Sequence, residues 1–95
     1  MELNESIVNQ YPVEVYNTAL SIFIESNGSL VEKLFDSSSK DRFSIIHKLK
    51  GGASMLGLVK ITNTLELAEV NPEKDEIVAK IPELFEDVKE FYKTR

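Results

Sequence analysis

Between its turn signals the chain repeats apolar residues at helical spacing, in steps of three, four and seven. The turn signals are "YP" at 11–12, "DSSSKD" at 36–41, "GL" at 57–58 and "NPEKD" at 71–75. Ahead of the first, Leu3, Ile7 and Val8 suit a short helix over 3–9. From Pro12, a residue tolerated in a first helical turn, Tyr16, Leu20, Phe23, Leu30 and Leu34 keep one phase. They predict a long helix over 12–37, with a break at Gly28 in "SNGS" as the alternative. An N-cap serine in "SSSKD" opens a helix over 39–56. Leu58, Ile61, Leu65 and Ala68 form the seam of a helix over 58–70. Ile77, Ile81, Leu84, Val88 and Phe91 carry a last one over 73–93. Pro82 should kink or restart that helix, because an interior proline lacks the N–H and clashes with the preceding turn. No segment alternates strictly enough for a half-buried strand. Four helices joined by short loops imply an all-α fold: an antiparallel up-down-up-down four-helix bundle with a short N-terminal helix.

Composition narrows this without changing it. Ninety-five residues fit one domain over 1–95, and 42% apolar with 28% charged residues is ordinary for a globular chain. The net charge of −5, with basic residues scattered, argues against nucleic acid or an anionic membrane as partner. No cysteine is present, so neither a disulfide nor a thiolate metal site can form, which fits a reducing, cytoplasmic setting. The N-terminal "MELNESIVNQYP" lacks the basic stretch and apolar run of a signal peptide, and no apolar run is long enough to span a bilayer. A chain from Met1 to a charged "YKTR" reads as a free-standing protein, and a compact bundle reads as a monomer.

One stretch stands apart, "HKLKGGASMLG" at 47–57, with the chain's single histidine and two adjacent glycines inside a helical pattern. At about 100° per residue, Ile45, Ile46, Leu49, Gly52, Ala53 and Leu56 share an apolar sector, and His47 lies about 155° from its centre. The imidazole is therefore expected on the outer face. Helical glycine costs about 1 kcal/mol relative to alanine. At Gly51, one turn beyond His47, that cost removes a side chain that would crowd the ring and keep another molecule's backbone away. Gly52 points inward, where it allows a neighbouring helix to approach closely. Lys50 projects to the side of His47 and can hold a negative group near the ring. Phe43, one turn before, is an aromatic where a solvated face would carry a charge, which suits a protein contact. Neutral imidazole is a nucleophile, yet no Ser–His–Asp set, no second histidine and no phosphate-binding loop accompany it. Such a site can accept or donate a group but is not equipped for a multi-step reaction.

These residues resemble a histidine-containing phosphotransfer (HPt) domain of two-component phosphorelays. His47, Leu49, Lys50, Gly51 and Gly57 match the family's histidine, any residue, leucine, lysine, glycine, and a small-residue stretch closing at a second glycine. Upstream, "FDSSSKDRFSIIHKLKG" resembles the lead-in to the histidine helix; downstream, "GLVKITNTLELAE" resembles the following helix with its leucine and terminal acid. Gly52 departs from the serine or alanine often found there. The resemblance implies that His47 carries a phosphoryl group on Nε2 and that Lys50 contacts the phosphoryl oxygens. It further implies that Gly57 ends the helix as a C′ glycine. Phe43, Ser44, Lys48, Gly51, Ser54 and Met55 would form the docking face; for Ser54 a solvated helix serine, and for Phe43 and Met55 helix packing, are the alternatives. Leu58, at a seam position, is expected to pack inward.

The partners implied are receiver domains of hybrid sensor kinases and response regulators. The phosphoryl group would pass from a receiver phospho-aspartate to His47 and on to another receiver's aspartate. The receiver would supply Mg²⁺ and most of the catalytic groups, so the chain itself would be a phosphocarrier and not an enzyme, with no cofactor or metal of its own. The competing reading is a non-catalytic helical adaptor that binds receiver or other signalling proteins, with His47 incidental. A kinase fragment is disfavoured, because the chain has no room for an ATP-binding domain.

Overall fold

A computed structural model describes residues 1–36 and 38–95. It is all-helical, with α1 over Glu5–Val8, α2 over Val13–Glu32, α3 over Ser39–Met55, α4 over Val59–Val70, α5 over Asp75–Val78 and α6 over Lys80–Lys93. No strand occurs among the described residues; Leu3 and Leu58 form a single isolated bridge. Packing joins α2 to α3, α3 to α4, α4 to α6 and α6 to α2, and the molecule measures 38 × 22 × 18 Å. No helix among the described residues is long and apolar enough to cross a membrane.

The helix limits follow from local chemistry. Ser38 caps α3, its Oγ accepting from the Asp41 N–H at 3.3 Å, and Asp41 adds negative charge to the first turn. α2 runs unbroken through Gly28 but stops at Glu32, short of the expected limit, and a 3₁₀ turn over Leu34–Asp36 follows. The expected last residue, at position 37, lies outside the described residues. Arg42 anchors the turn that follows, its Nε donating to the Leu34 carbonyl at 2.6 Å. The same guanidinium bonds the Pro72 carbonyl at 3.1 Å, pairs with Asp75 at 2.9 Å and lies over the Phe35 ring. One largely buried arginine thus ties the end of α2, the start of α3 and the lead into α5.

The segment expected as one helix over 73–93 divides at Ala79, so that Pro82 falls in the first turn of α6. First-turn N–H groups lack intrahelical partners in any case, so proline costs little there. α1 is shorter than expected, because Leu3 bridges to Leu58.

The buried seam of α3 is Ile46, Leu49, Ala53 and Leu56, and that of α4 is Ile61, Leu65 and Ala68, with Leu58 buried just ahead. Two seams differ from expectation. In α2 the phase passes through Asn27 and Val31, with Leu30 only partly buried, and the polar Asn27 had hidden it. In α6 the fully buried residues are Ile81, Phe85 and Val88, while Leu84 and Phe91 are partly buried. This helix meets both α2 and α4, so its apolar stripe is wider than one seam.

The α3–α4 junction is a Schellman turn. Gly57 has φ +68°, its N–H bonds the Ser54 carbonyl at 3.1 Å, and the Leu58 N–H bonds the Ala53 carbonyl at 3.1 Å. The N-terminal strap closes over it, with the Asn4 N–H donating to the Gly57 carbonyl at 2.8 Å. Tyr16 adds a cross-tie, its hydroxyl donating to the Leu56 carbonyl at 2.6 Å. Burial pushes this phenol above its ordinary pKa, against a smaller opposing pull from Arg95, so it remains a neutral donor.

The paired glycines occupy opposite environments. A Cβ on Gly51 would meet nothing within 4 Å, whereas one on Gly52 would stand 2.8 and 2.9 Å from two carbons of the Phe23 ring. Gly51→Ala should therefore stabilise the fold by about 1 kcal/mol through helix propensity. Gly52→Ala should destabilise it by about 1 kcal/mol, overpacking outweighing the propensity gain. Urea unfolding of both variants checks this; shifts of the same sign would refute the assignment of opposite faces.

Candidate functional site

With Ile46, Leu49 and Ala53 turned into the core, the phase of α3 leaves His47 on the surface, its side chain 66% exposed. The ring is not free to rotate. Its Nδ1 lies 3.2 Å from Glu69 Oε2, and the Phe43 ring lies nearly parallel to it, 10° between planes and 6.1 Å between centroids. Glu69 comes from the last turn of α4, and its carboxylate also holds Lys50, with Nζ 3.0 Å from Oε2 and 3.1 Å from Oε1. One carboxylate therefore bridges the two α3 residues singled out for chemistry.

The electrostatics follow. The Lys50 hydrogen bond does most to hold the Glu69 carboxyl below its ordinary pKa; desolvation opposes this, and His47 adds to the lowering. Glu69 is therefore ionised at neutral pH and can only accept. A hydrogen bond to it requires the proton on His47 Nδ1, which leaves the ring's lone pair on Nε2. Side-chain exposure of 18% for Glu69 and 30% for Lys50 places the pair between the helices, under the more exposed imidazole.

The other residues expected at the site divide into groups. Gly51 leaves open space one turn beyond His47. Phe43, 45% exposed, stands beside the imidazole as a flanking wall. Ser44 is exposed on the same helix. Lys48 and Met55 border a groove between α3 and α2, on the side away from Glu69. Ser54 lines a shallow recess with Asn4 and Thr62 beside the α3–α4 turn, two helical turns from His47. Gly52 and Gly57 are structural, one beneath Phe23 and one in the turn.

No family model, curated protein or solved structure matches the chain. The site therefore rests on its own geometry.

Glu69 is the functional residue that the sequence reading left without a role. A signal was present. Gly57 turns the chain sharply and α4 packs along α3, so residues about equally far from the turn meet. His47 is ten positions before Gly57 and Glu69 twelve after it.

Chemically, the arrangement is an outward nucleophilic nitrogen, a carboxylate that fixes and supports the ring's other nitrogen, and a cation held alongside. Nitrogen-15 NMR of the imidazole should show mainly the Nδ1–H tautomer at neutral pH, and Glu69→Ala should shift the population toward Nε2–H. An unchanged tautomer ratio would show that Glu69 does not set it. Because the folded-state pKa of Glu69 is depressed, its stabilising contribution is present above the ordinary carboxylate range. It is lost as pH falls through the depressed value, so the stability difference between the native chain and Glu69→Gln, measured by urea unfolding, should close in that acidic window.

Proposed function

We propose that the protein is a phosphocarrier of a two-component phosphorelay, accepting a phosphoryl group on His47 Nε2 from a receiver phospho-aspartate. The observation that carries this reading is the imidazole itself: exposed, with Nδ1 bound to an ionised Glu69 and Nε2 left as the nucleophile. In the transfer, the Nε2 lone pair attacks phosphorus, an N–P bond forms, and the P–O bond to the aspartate breaks, releasing its carboxylate. The positive charge that this leaves on the ring is shared with Nδ1–H and opposed by Glu69. In the second step a carboxylate oxygen of another receiver's aspartate attacks phosphorus, and Nε2 leaves with the bonding pair. Lys50, anchored by Glu69 and carrying three N–H donors, serves the phosphoryl oxygens. Mg²⁺ belongs to the receiver.

Open space at Gly51 supports close approach of the receiver backbone, Phe43 flanks the imidazole, and Ser44, Lys48 and Met55 are exposed on the same helix. For the architecture we propose the antiparallel up-down-up-down four-helix bundle, with α2, α3, α4 and α6 as its members; their cycle of packing contacts supports it. The same reading makes the protein a cytoplasmic monomer with receiver domains of hybrid kinases and response regulators as partners.

The test is phosphoryl transfer from a phosphorylated receiver. The native chain should acquire acid-labile, alkali-stable phosphate, and His47→Gln should acquire none. Absence of label on the native chain with several receivers would overturn the carrier reading in favour of a binding adaptor. A bulky residue at Gly51, such as Gly51→Leu, should slow transfer by about tenfold or more through misplacement of the reacting atoms, with helix content unchanged by circular dichroism. Unchanged transfer would refute the steric role of Gly51.

A further inference from the structure

A second feature lies outside this chemistry. Between α2 and α3 runs a groove of about 370 Å³, within the range of about 300–1,000 Å³ typical of small-molecule sites. Phe23 and Leu56 are its buried lining, and Ala19, Ile22 and Met55 its exposed and half-exposed walls. Ser26 and two tyrosines also line it, and two further polar groups, Asn27 and Lys48, matter for binding. Asn27 lines the groove and is only 6% exposed; its Nδ2 donates to the Phe23 carbonyl at 2.8 Å, while its Oδ1 is buried without a partner. A buried acceptor left unpaired is costly, and native proteins rarely keep one without a use. Lys48 stands exposed at the rim, in none of the ion pairs formed among the described residues.

We propose that this groove binds a small anionic amphiphile: a body of one to three apolar rings, one N–H or O–H donor, and an acidic group. The rings would lie between Ile22 and Met55, the donor would satisfy Asn27 Oδ1, and the acid would pair with Lys48. A helix of a partner protein is the competing occupant. The single deep acceptor and the ligand-sized volume favour the small molecule, because a helix lying across the rim would leave Asn27 unpaired. This inference does not rest on the phosphocarrier reading: His47, Lys50 and Glu69 lie outside the groove, and only Lys48 and Met55, exposed residues of the proposed docking face, are shared with it. The groove borders the His47 helix through Lys48 and Met55, so occupancy would obstruct whatever docks there.

The probe is 6-(p-toluidino)naphthalene-2-sulfonate, which carries aromatic rings, one N–H and a sulfonate at the far end. Fluorescence titration of the native chain should give a single saturable site, and backbone NMR shifts should centre on Phe23, Asn27, Gly52 and Leu56. Lys48→Glu, a surface change that preserves the fold, should weaken binding about fivefold. Asn27→Leu, which keeps the apolar volume, should weaken it about fivefold through loss of one hydrogen bond. His47→Gln should bind as the native chain does, which separates this result from that of the phosphotransfer test. Shifts centred elsewhere, such as at Leu84 and Phe91, or unchanged affinity in Lys48→Glu, would overturn the proposal. Unchanged affinity in Asn27→Leu with both proteins folded by thermal melting would refute the role given to Oδ1.

Discussion

The contact between Phe23 and Gly52 is the constraint on which the rest of the arrangement depends. A phenyl ring of α2 occupies the space where a side chain on α3 would stand, so close that even a methyl group would force it to move. This fixes the rotation of α3 about its own axis. With Gly52 turned toward α2 and Leu49 and Ala53 turned to the core, His47 can only face outward. Tyr16 locks the same two helices at one end by reaching the Leu56 carbonyl, and Arg42 locks the other by gathering Leu34, Pro72 and Asp75. The exposed imidazole is thus set by buried contacts on the opposite side of its helix. Phe23 also lines the groove beside α2, so one ring shapes both surface features.

Across the other edge of α3, the decisive interaction is electrostatic. A carboxylate shared by a lysine and an imidazole does more than an exposed ion pair, which contributes about 0–1 kcal/mol to stability. Its value is in direction. Glu69 selects which imidazole nitrogen keeps its lone pair, and it restrains Lys50 from wandering over the surface. Phe43 lies along the ring and limits its motion further. An exposed histidine with two neighbours that each restrict it is poised, whereas an unrestrained surface histidine samples both tautomers and many rotamers.

Much of this was legible in the sequence, because periodicity depends only on phase. The helical character of each segment, the outward face of His47, the inward face of Gly52 and the turn at Gly57 all follow from counting residues along single helices. What was not legible depends on pairs of helices. Glu69 gains its meaning from lying opposite His47, a pairing that the sequence of α4 alone does not reveal. The α2 seam was misread at Leu30 because Asn27, a polar residue, occupies a buried position and disguises the period. The α6 seam was drawn too narrow because a helix touching two neighbours buries two adjacent rows.

The two glycines can now be weighed separately. Each costs the helix about 1 kcal/mol relative to alanine. At Gly52 the fold recovers that cost, since burying a phenylalanine side chain contributes about 1.5–3 kcal/mol and Phe23 is buried against it. At Gly51 nothing within the chain recovers it: the space is empty, the backbone is not in a left-handed conformation, and alanine would fit. Gly28 in α2 is equally open and carries the same cost, so openness alone does not set Gly51 apart. Its place does: it stands one turn beyond the only histidine, where the proposed transfer needs room for a second molecule's backbone.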